Sequence, residues 1–346
     1  MAEELNLRSQ NILEAIVEDY IASAEPVGSR AISRRHALDL SPATVRNVMS
    51  DLEEMGYICS PHTSAGRVPT SQGFHYYIDS LLEVRDLSEK EKTRLTNSYQ
   101  FQGMRLEDVM REVGRVLSGI SSYTGLVMAP KFSSTVFRQV EFVRLSKGRL
   151  LVIFVSETGL VQNKVIETEN DWTQQELEQV TNYLNHTLPG LTIQQIRTQL
   201  AEELQQEQDH YDQLRKQALQ LSKEALKDEI EDSVYVSGTS KMLEQPEFSS
   251  PGQMKKIFQT LESKQQLVEL LDQSQAAEGV QIFIGSQSQH NSIEGCSLIS
   301  SPFSGKKGAV GTLGVIGPVR MDYSQVIPIV DFTAQLVSRI LDREAE

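Results

Sequence analysis

Arg30, Arg34, Ser41, Thr44, Arg46, Asn47, Ser50, Thr63, Ser64 and Arg67 fall within one short stretch of this 346-residue chain. Guanidiniums make two-pronged hydrogen bonds to phosphate oxygens and guanine edges, while asparagine, serine and threonine exchange hydrogen bonds with bases. The chemistry on offer is recognition of double-stranded DNA, not bond making. The six histidines (His36, His62, His75, His186, His210, His290) include no i, i+4 pair and no cysteine neighbour at ligand spacing, so no metal site is expected. Gly308, Gly311, Gly314 and Gly317 recur every three residues, but in a strand-like run and not at a strand-to-helix turn. Gly305-Lys306-Lys307 lacks the upstream glycine and the following hydroxyl of a phosphate loop, and reads as a basic hairpin tip. No Ser, His and acid constellation can be assembled from sequence order, so neither catalysis nor a cofactor is expected.

The elements that must position these side chains are legible. Ser41 can accept from the first helical turn, Pro42 fits the first helical position, and Gly56 supplies a left-handed stop. Between them Val45, Val48, Met49, Leu52 and Met55 form one apolar face. Ala43, Thr44, Arg46, Asn47 and Ser50 form the opposite one, small and polar at the N-terminal end where a recognition helix meets bases. A preceding helix, Val27 to His36, buries Ala31 and Ile32 and exposes Arg30, Arg34 and Arg35 toward phosphates. Tyr57 to Ser60 and Arg67 to Thr70 flank a turn, giving a wing with Arg67 at its tip. Residues 1–80 hold six arginines against 11 acids, so binding must rest on placed arginines and on two heads acting together. The acids on the tail of the recognition helix (Asp51, Glu53, Glu54) are expected to lie away from the reading edge.

The runs Val27-Gly28-Ser29-Arg30, Ser41-Pro42-Ala43-Thr44-Val45-Arg46-Asn47 and His62-Thr63-Ser64-Ala65-Gly66-Arg67-Val68-Pro69-Thr70 resemble the signature of the HrcA family of heat-inducible transcription repressors. The resemblance extends to length and later organisation. It implies a homodimer that represses chaperone genes through an inverted-repeat operator, under control of the GroE chaperonin. It also implies a GAF-like domain carrying an inserted dimerisation domain.

Net charge of −14 argues against a nonspecific nucleic-acid coat or an anionic-membrane binder. Cys59 and Cys296 fall in different expected domains, which points to a reducing compartment. The acidic start Met1-Ala2-Glu3-Glu4 is unlike a signal peptide, and no apolar run reaches membrane-span length, so a cytoplasmic location is expected.

The expected class is α+β: a winged helix-turn-helix domain over 1–82, a linker over 83–104, and a GAF-like antiparallel sheet domain in two halves, 105–169 and 276–346. A mainly helical dimerisation domain over 170–275 would interrupt it. Strands are expected at Val136 to Leu145, Leu150 to Glu157, Leu160 to Thr168, Val280 to Ile284, Cys296 to Pro302 and Ala309 to Ile316, all in one sheet. Helices are expected at Ser71 to Leu82, Leu106 to Gly119, Thr173 to His186, Thr192 to Leu204, Gln206 to Lys227 and Ser324 to Leu341. Residues 167–232 carry 15 acids against five bases, read either as a solvated helical surface or as a partner surface.

Two other functions compete. A ligand-sensing winged-helix regulator would need convergent polar groups in an apolar pocket of the GAF-like domain. A winged helix serving only protein contacts would lack the steep salt dependence of DNA binding.

Overall fold

The computed structural model describes residues 5–36, 38–62, 65–99, 106–130, 135–157, 161–168, 171–193, 195–196, 198–199, 221–222, 234–248, 251–275, 279–285, 295–305 and 310–344. The chain begins with three helices, α1 (Leu7–Ser23), α2 (Ser29–Arg35) and α3 (Pro42–Glu54). A two-stranded antiparallel ribbon follows, β1 (Ile58–Cys59) and β2 (Val68–Pro69), and then α4 (Ser71–Tyr76), which runs into a wider helical turn over Tyr77–Leu81. Ile12, Ile16, Ile32, Val45, Leu52, Ile58 and Phe74 are buried together, so each amphipathic element turns its apolar side to one core. This is the winged helix expected from the motifs.

Residues 83–104, expected as a linker or a solvated connecting helix, contain a helix. Ser88 caps α5 (Glu89–Ser98) by accepting from Glu91 N–H, while the Glu91 carboxylate accepts from Ser88 N–H at 2.9 Å. Those hydrogen bonds from Ser88, with help from Arg85, hold the Glu91 carboxyl down at about 2. Only Leu95 of α5 is buried, joined by Leu87 and Tyr99 at its ends, and the Tyr99 hydroxyl lies 3.4 Å from Thr333 Oγ1. So sparse an apolar pattern reads as solvated chain, although it docks.

The strands divide differently from the expected single sheet. β4 (Phe137–Ser146), β5 (Arg149–Ser156) and β6 (Val161–Glu167) pair antiparallel in a sheet of their own, ordered β4-β5-β6. The second sheet has five antiparallel strands in the order β7-β3-β10-β9-β8. It comprises β3 (Thr124–Met128), β7 (Val234–Ser237), β8 (Gln281–Ile284), β9 (Cys296–Ser304) and β10 (Val310–Pro318). The two strands not anticipated, β3 and β7, are five and four residues long. Neither run alternates apolar with polar residues, since β3 is buried at every position and β7 half-buried at every position.

The consequence is a shifted interruption. Leu126 pairs with Val236 on one side and Gly314 on the other, so the chain leaves the five-stranded sheet after β3 and returns at β7. Strands β4 to β6 belong to the excursion, together with α7 (Gln174–Thr187), whose Leu177, Val180 and Leu184 pack with Phe137, Val152, Phe154 and Trp172. Asn185 of α7 hydrogen-bonds both backbone groups of Val140, at 2.7 and 3.0 Å, closing that edge of β4. Residues 193, 195–196 and 198–199 are helical behind a Thr192–Gln195 cap, in line with a helix starting at Thr192. The expected helix Gln206 to Lys227 lies outside the described residues except 221–222, which are helical.

Both faces of the five-stranded sheet are covered. α6 (Leu106–Ser121) and α11 (Tyr323–Glu344) cover one, where Val127, Ile299, Leu313 and Val315 meet Met110, Leu117, Val326 and Val330. On the other lie α9 (Pro251–Glu262) and α10 (Lys264–Gln275), within the span 170–275 expected for the inserted domain. Their Ile257, Leu261, Leu267 and Leu271 pack on Leu126, Met128, Leu298 and Ile316, and a short α8 (Ser240–Leu243) adds Met242. No separate helices are expected over 251–275, and which sheet such helices cover is not readable from the sequence.

Because α10 seals the sheet, Leu271→Ala and Leu313→Ala should cost alike, about 2–5 kcal/mol each, since both side chains are fully buried. Denaturant titration of the two variants checks this, and a loss under 1 kcal/mol for Leu271→Ala would detach α10 from the sheet.

Candidate nucleic-acid interface

The recognition helix α3 is fixed at both ends. Ser41 Oγ accepts from Thr44 N–H at 3.2 Å and lies 3.0 Å from Thr44 Oγ1, so both hydroxyls belong to the cap. At the other end Gly56, at φ +81°, donates to Glu53 O and Tyr57 N–H donates to Leu52 O, each at 3.0 Å, closing a paired C-terminal cap. Val45, Val48, Met49 and Leu52 are buried, while Arg46, Asn47 and Ser50 are exposed, so the two faces separate as expected.

The wing is docked by its backbone. Val27 N–H donates to Arg67 O and Arg67 N–H to Val27 O, both at 2.8 Å, adding a bridge from the link before α2 to the ribbon. Gly66 makes this approach possible, since a Cβ there would sit 2.5 Å from the carbonyl carbon and oxygen of Val27. Thr70 Oγ1 donates to Gly56 O at 2.6 Å and accepts from Gly73 N–H at 3.2 Å, tying the end of α3 to the start of α4.

Arg30, Arg46 and Arg67 line one cleft of about 430 Å³ between the N-terminal end of α2, α3 and the wing, together with Gly28, Ser29 and Gly66. Arg34 and Arg35 are exposed on α2. Arg35 Nη1 reaches Asp19 Oδ2 at 3.3 Å, and His36 Nε2 lies 3.3 Å from Asp19 Oδ1, so this part of α2 is paired to α1.

Arg67 departs from expectation. It lies at the loop-side start of the returning strand, one position before Val68, and its Nε donates to Glu53 Oε2 at 2.8 Å while Nη2 makes an ion-pair contact with the same oxygen at 2.8 Å. Glu53, one of the tail acids expected away from the reading edge, faces the wing. Sequence reasoning missed Glu53, Thr70 and Asp19 as positioning residues. Each partner lies 13 to 17 positions away, across a turn whose path periodicity does not describe. Thr63 and Ser64 lie outside the described residues.

Cys59 is exposed on the wing, and burial pushes the Cys296 thiol up to about 12, which leaves Cys296 a core side chain and not a nucleophile. Among the described residues no helix is long and apolar enough to cross a membrane.

Comparison with known proteins places this geometry. A family described as "Winged helix-turn-helix transcription repressor, HrcA DNA-binding" matches residues 4–80, and one described as "HrcA protein C terminal domain" matches residues 107–327. The chain is 50% identical over 341 residues to the heat-inducible transcription repressor HrcA of Geobacter sulfurreducens, covering 99% of each chain. It is 39% identical over 345 residues to that of Syntrophobacter fumaroxidans, again covering 99% of each. A crystal structure of a hypothetical protein shares the fold over 99% of this chain and 100% of the other, with a TM-score of 0.62 at 21% identity. With a match of this length and identity running through both the head and the sheets, the chain belongs to the HrcA family of heat-inducible transcription repressors.

Proposed function

We propose that this protein represses chaperone operons as a homodimer whose two heads bind an inverted-repeat operator. The observation that carries the reading is the convergence of Arg30, Arg46 and Arg67 on one cleft beside the exposed polar edge of α3. In this reading Arg46, Asn47 and Ser50 face the bases in the major groove. Arg30 and Arg34 hold phosphates, and Arg67 reaches the backbone from the wing. Ser41 and Thr44 contribute by fixing the helix end that approaches the DNA, with Thr63 and Ser64 as further wing contacts.

The dimer surface has a physical candidate. On β5 the side chains of Leu150, Val152 and Phe154 are buried, while Leu151, Ile153 and Val155 on the opposite face are half-exposed. Val161 and Val165 of β6 share that outer face through the pairs Val155–Val161 and Leu151–Val165, and are 61% and 44% exposed. The outer face thus carries an apolar strip of β5 and β6 bordered by Gln139, Glu141 and Asn163, and a second copy supplies a matching strip about a dyad. The inserted dimerisation unit is accordingly proposed to span 129–233, and the GAF-like domain 106–128 with 234–344.

The core favours this reading over a small effector. Ser274 Oγ lies 2.7 Å from Ser300 Oγ, Ser297 Oγ 2.9 Å from the Tyr323 hydroxyl, and Thr312 Oγ1 donates to Leu271 O. The hydroxyls that could have met a ligand in the sheet are thus paired inside the core. Control by the GroE chaperonin is carried over from the family resemblance: a chaperonin that returns misfolded repressor to the folded pool would couple repression to its own availability.

An electrophoretic shift with a promoter fragment carrying an inverted repeat, against the same fragment with the repeat scrambled, tests the function. Loss of the shift on scrambling is expected, and equal binding to both would end the operator reading. Arg46→Ala should leave the circular dichroism spectrum intact and weaken specific binding by about 1–3 kcal/mol. Val161→Lys together with Val165→Lys should convert the dimer to monomer by light scattering and abolish the shift; a dimer that persists would move the interface elsewhere. Mild heating should abolish operator binding, and chaperonin with ATP should restore it. Heat-resistant binding unaffected by chaperonin would sever that link.

A further inference from the structure

Glu53 lies seven residues after Arg46, on the same side of α3 and about 10 Å further from its N-terminal end. Its Oε2 accepts a hydrogen bond from Arg67 Nε and makes an ion-pair contact with Nη2, and the Arg67 guanidinium shares a cleft with Arg30 and Arg46. The two side chains are 29% and 32% exposed, so the pair is neither freely solvated nor sealed from solvent. A carboxylate offers a guanidinium what a phosphate offers, anionic oxygens in reach of two N–H groups at once. Three guanidiniums in one cleft also repel one another, and a carboxylate among them relieves that repulsion when no DNA is present.

We propose that Glu53 is an intramolecular stand-in for a DNA phosphate. It holds Arg67 in the free protein and yields it to a backbone phosphate when a duplex enters the cleft. This rests on the DNA-binding reading of the head and adds to it a built-in competitor. The exchange replaces one Arg67 ion pair by another, so it gives little net affinity and lowers the hold of the head on any duplex. Base contacts from α3 are untouched, because Glu53 acts only through Arg67. A half-exposed pair of this kind is broken at modest cost, which is what a reversible competitor requires.

The test is a double-mutant cycle on the full chain, using E53Q, R67Q and the double variant. Binding to the inverted-repeat fragment and to a mixed-sequence duplex is measured across a salt series. E53Q keeps the shape of the side chain and removes its charge. It should bind both duplexes about two- to fivefold more tightly at low salt. Its dependence of log K on log salt should steepen by about one unit, because Arg67 now releases a counterion on meeting DNA. In the R67Q background E53Q should change nothing further. If E53Q binds more weakly than the unmodified chain, or equally well, Glu53 does not compete with phosphate and the proposal falls. If its gain persists in the R67Q background, Glu53 acts as a general negative charge near the DNA, and the proposal falls as well. An unmodified chain that binds neither duplex at any salt would remove the DNA reading itself, and the competitor with it.

Discussion

The fold depends on one pairing constraint, the placement of β3 between β7 and β10. Thr124–Met128 has both backbone edges hydrogen-bonded only when Val234–Ser237 has returned to one side and Val310–Pro318 has arrived on the other. The chain between β3 and β7 must therefore leave the sheet. Its described residues pack around their own core of Phe137, Val152, Phe154, Trp172 and Leu177. Such long-range pairing is slow to form because loop closure must precede the contacts that reward it. A repressor assembled this way is exposed to misfolding while the sheet is incomplete, which gives the proposed dependence on a chaperonin a physical basis.

The head is not a bead on a string. Phe74 of α4 lies 6.2 Å from Tyr323, ring centre to ring centre, and 6.3 Å from Tyr20, so an aromatic row runs from α1 to the start of α11. Tyr323 is fully buried, and its hydroxyl donates to Val319 O at 2.6 Å and contacts Ser297 of the sheet. Burial drives its phenol far above the ordinary tyrosine range, so it stays protonated as a donor at any physiological pH. Arg320 adds a polar tie, donating to Ile21 O at the end of α1 at 3.2 Å while its guanidinium is held by Glu247 and Gln245. The orientation of the reading helix is thus coupled to the sheet through packed side chains and a helix-end carbonyl.

Charge works locally and not globally in this head. With acids outnumbering arginines over residues 1–80, a general field would repel DNA. The structure answers by pairing: Asp19 takes Arg35 and His36, and Glu53 takes Arg67, while Arg46 stands exposed beside Asn47 and Ser50. Positive charge in the cleft beside α3 therefore rests on Arg30 and Arg46, with Arg67 offset by Glu53.

The winged helix was legible in the sequence because its signals are local. Ser41, Pro42 and Gly56 fix the ends of α3 through contacts within a few residues, and the apolar spacing from Val45 to Leu52 assigns its faces. The same holds for β4, β5 and β6, whose alternation and short Ser146-Lys147-Gly148 turn announce antiparallel neighbours. Tertiary structure alone decided which strands share a sheet. An apolar face states that it must be covered and not by what, so β4–β6 and β8–β10 looked alike, and α9 and α10 could have covered either set. It also decided where Arg67 goes, since a guanidinium takes whichever carboxylate the folded backbone brings within reach, and that carboxylate, Glu53, is set by the docking of the wing on Val27.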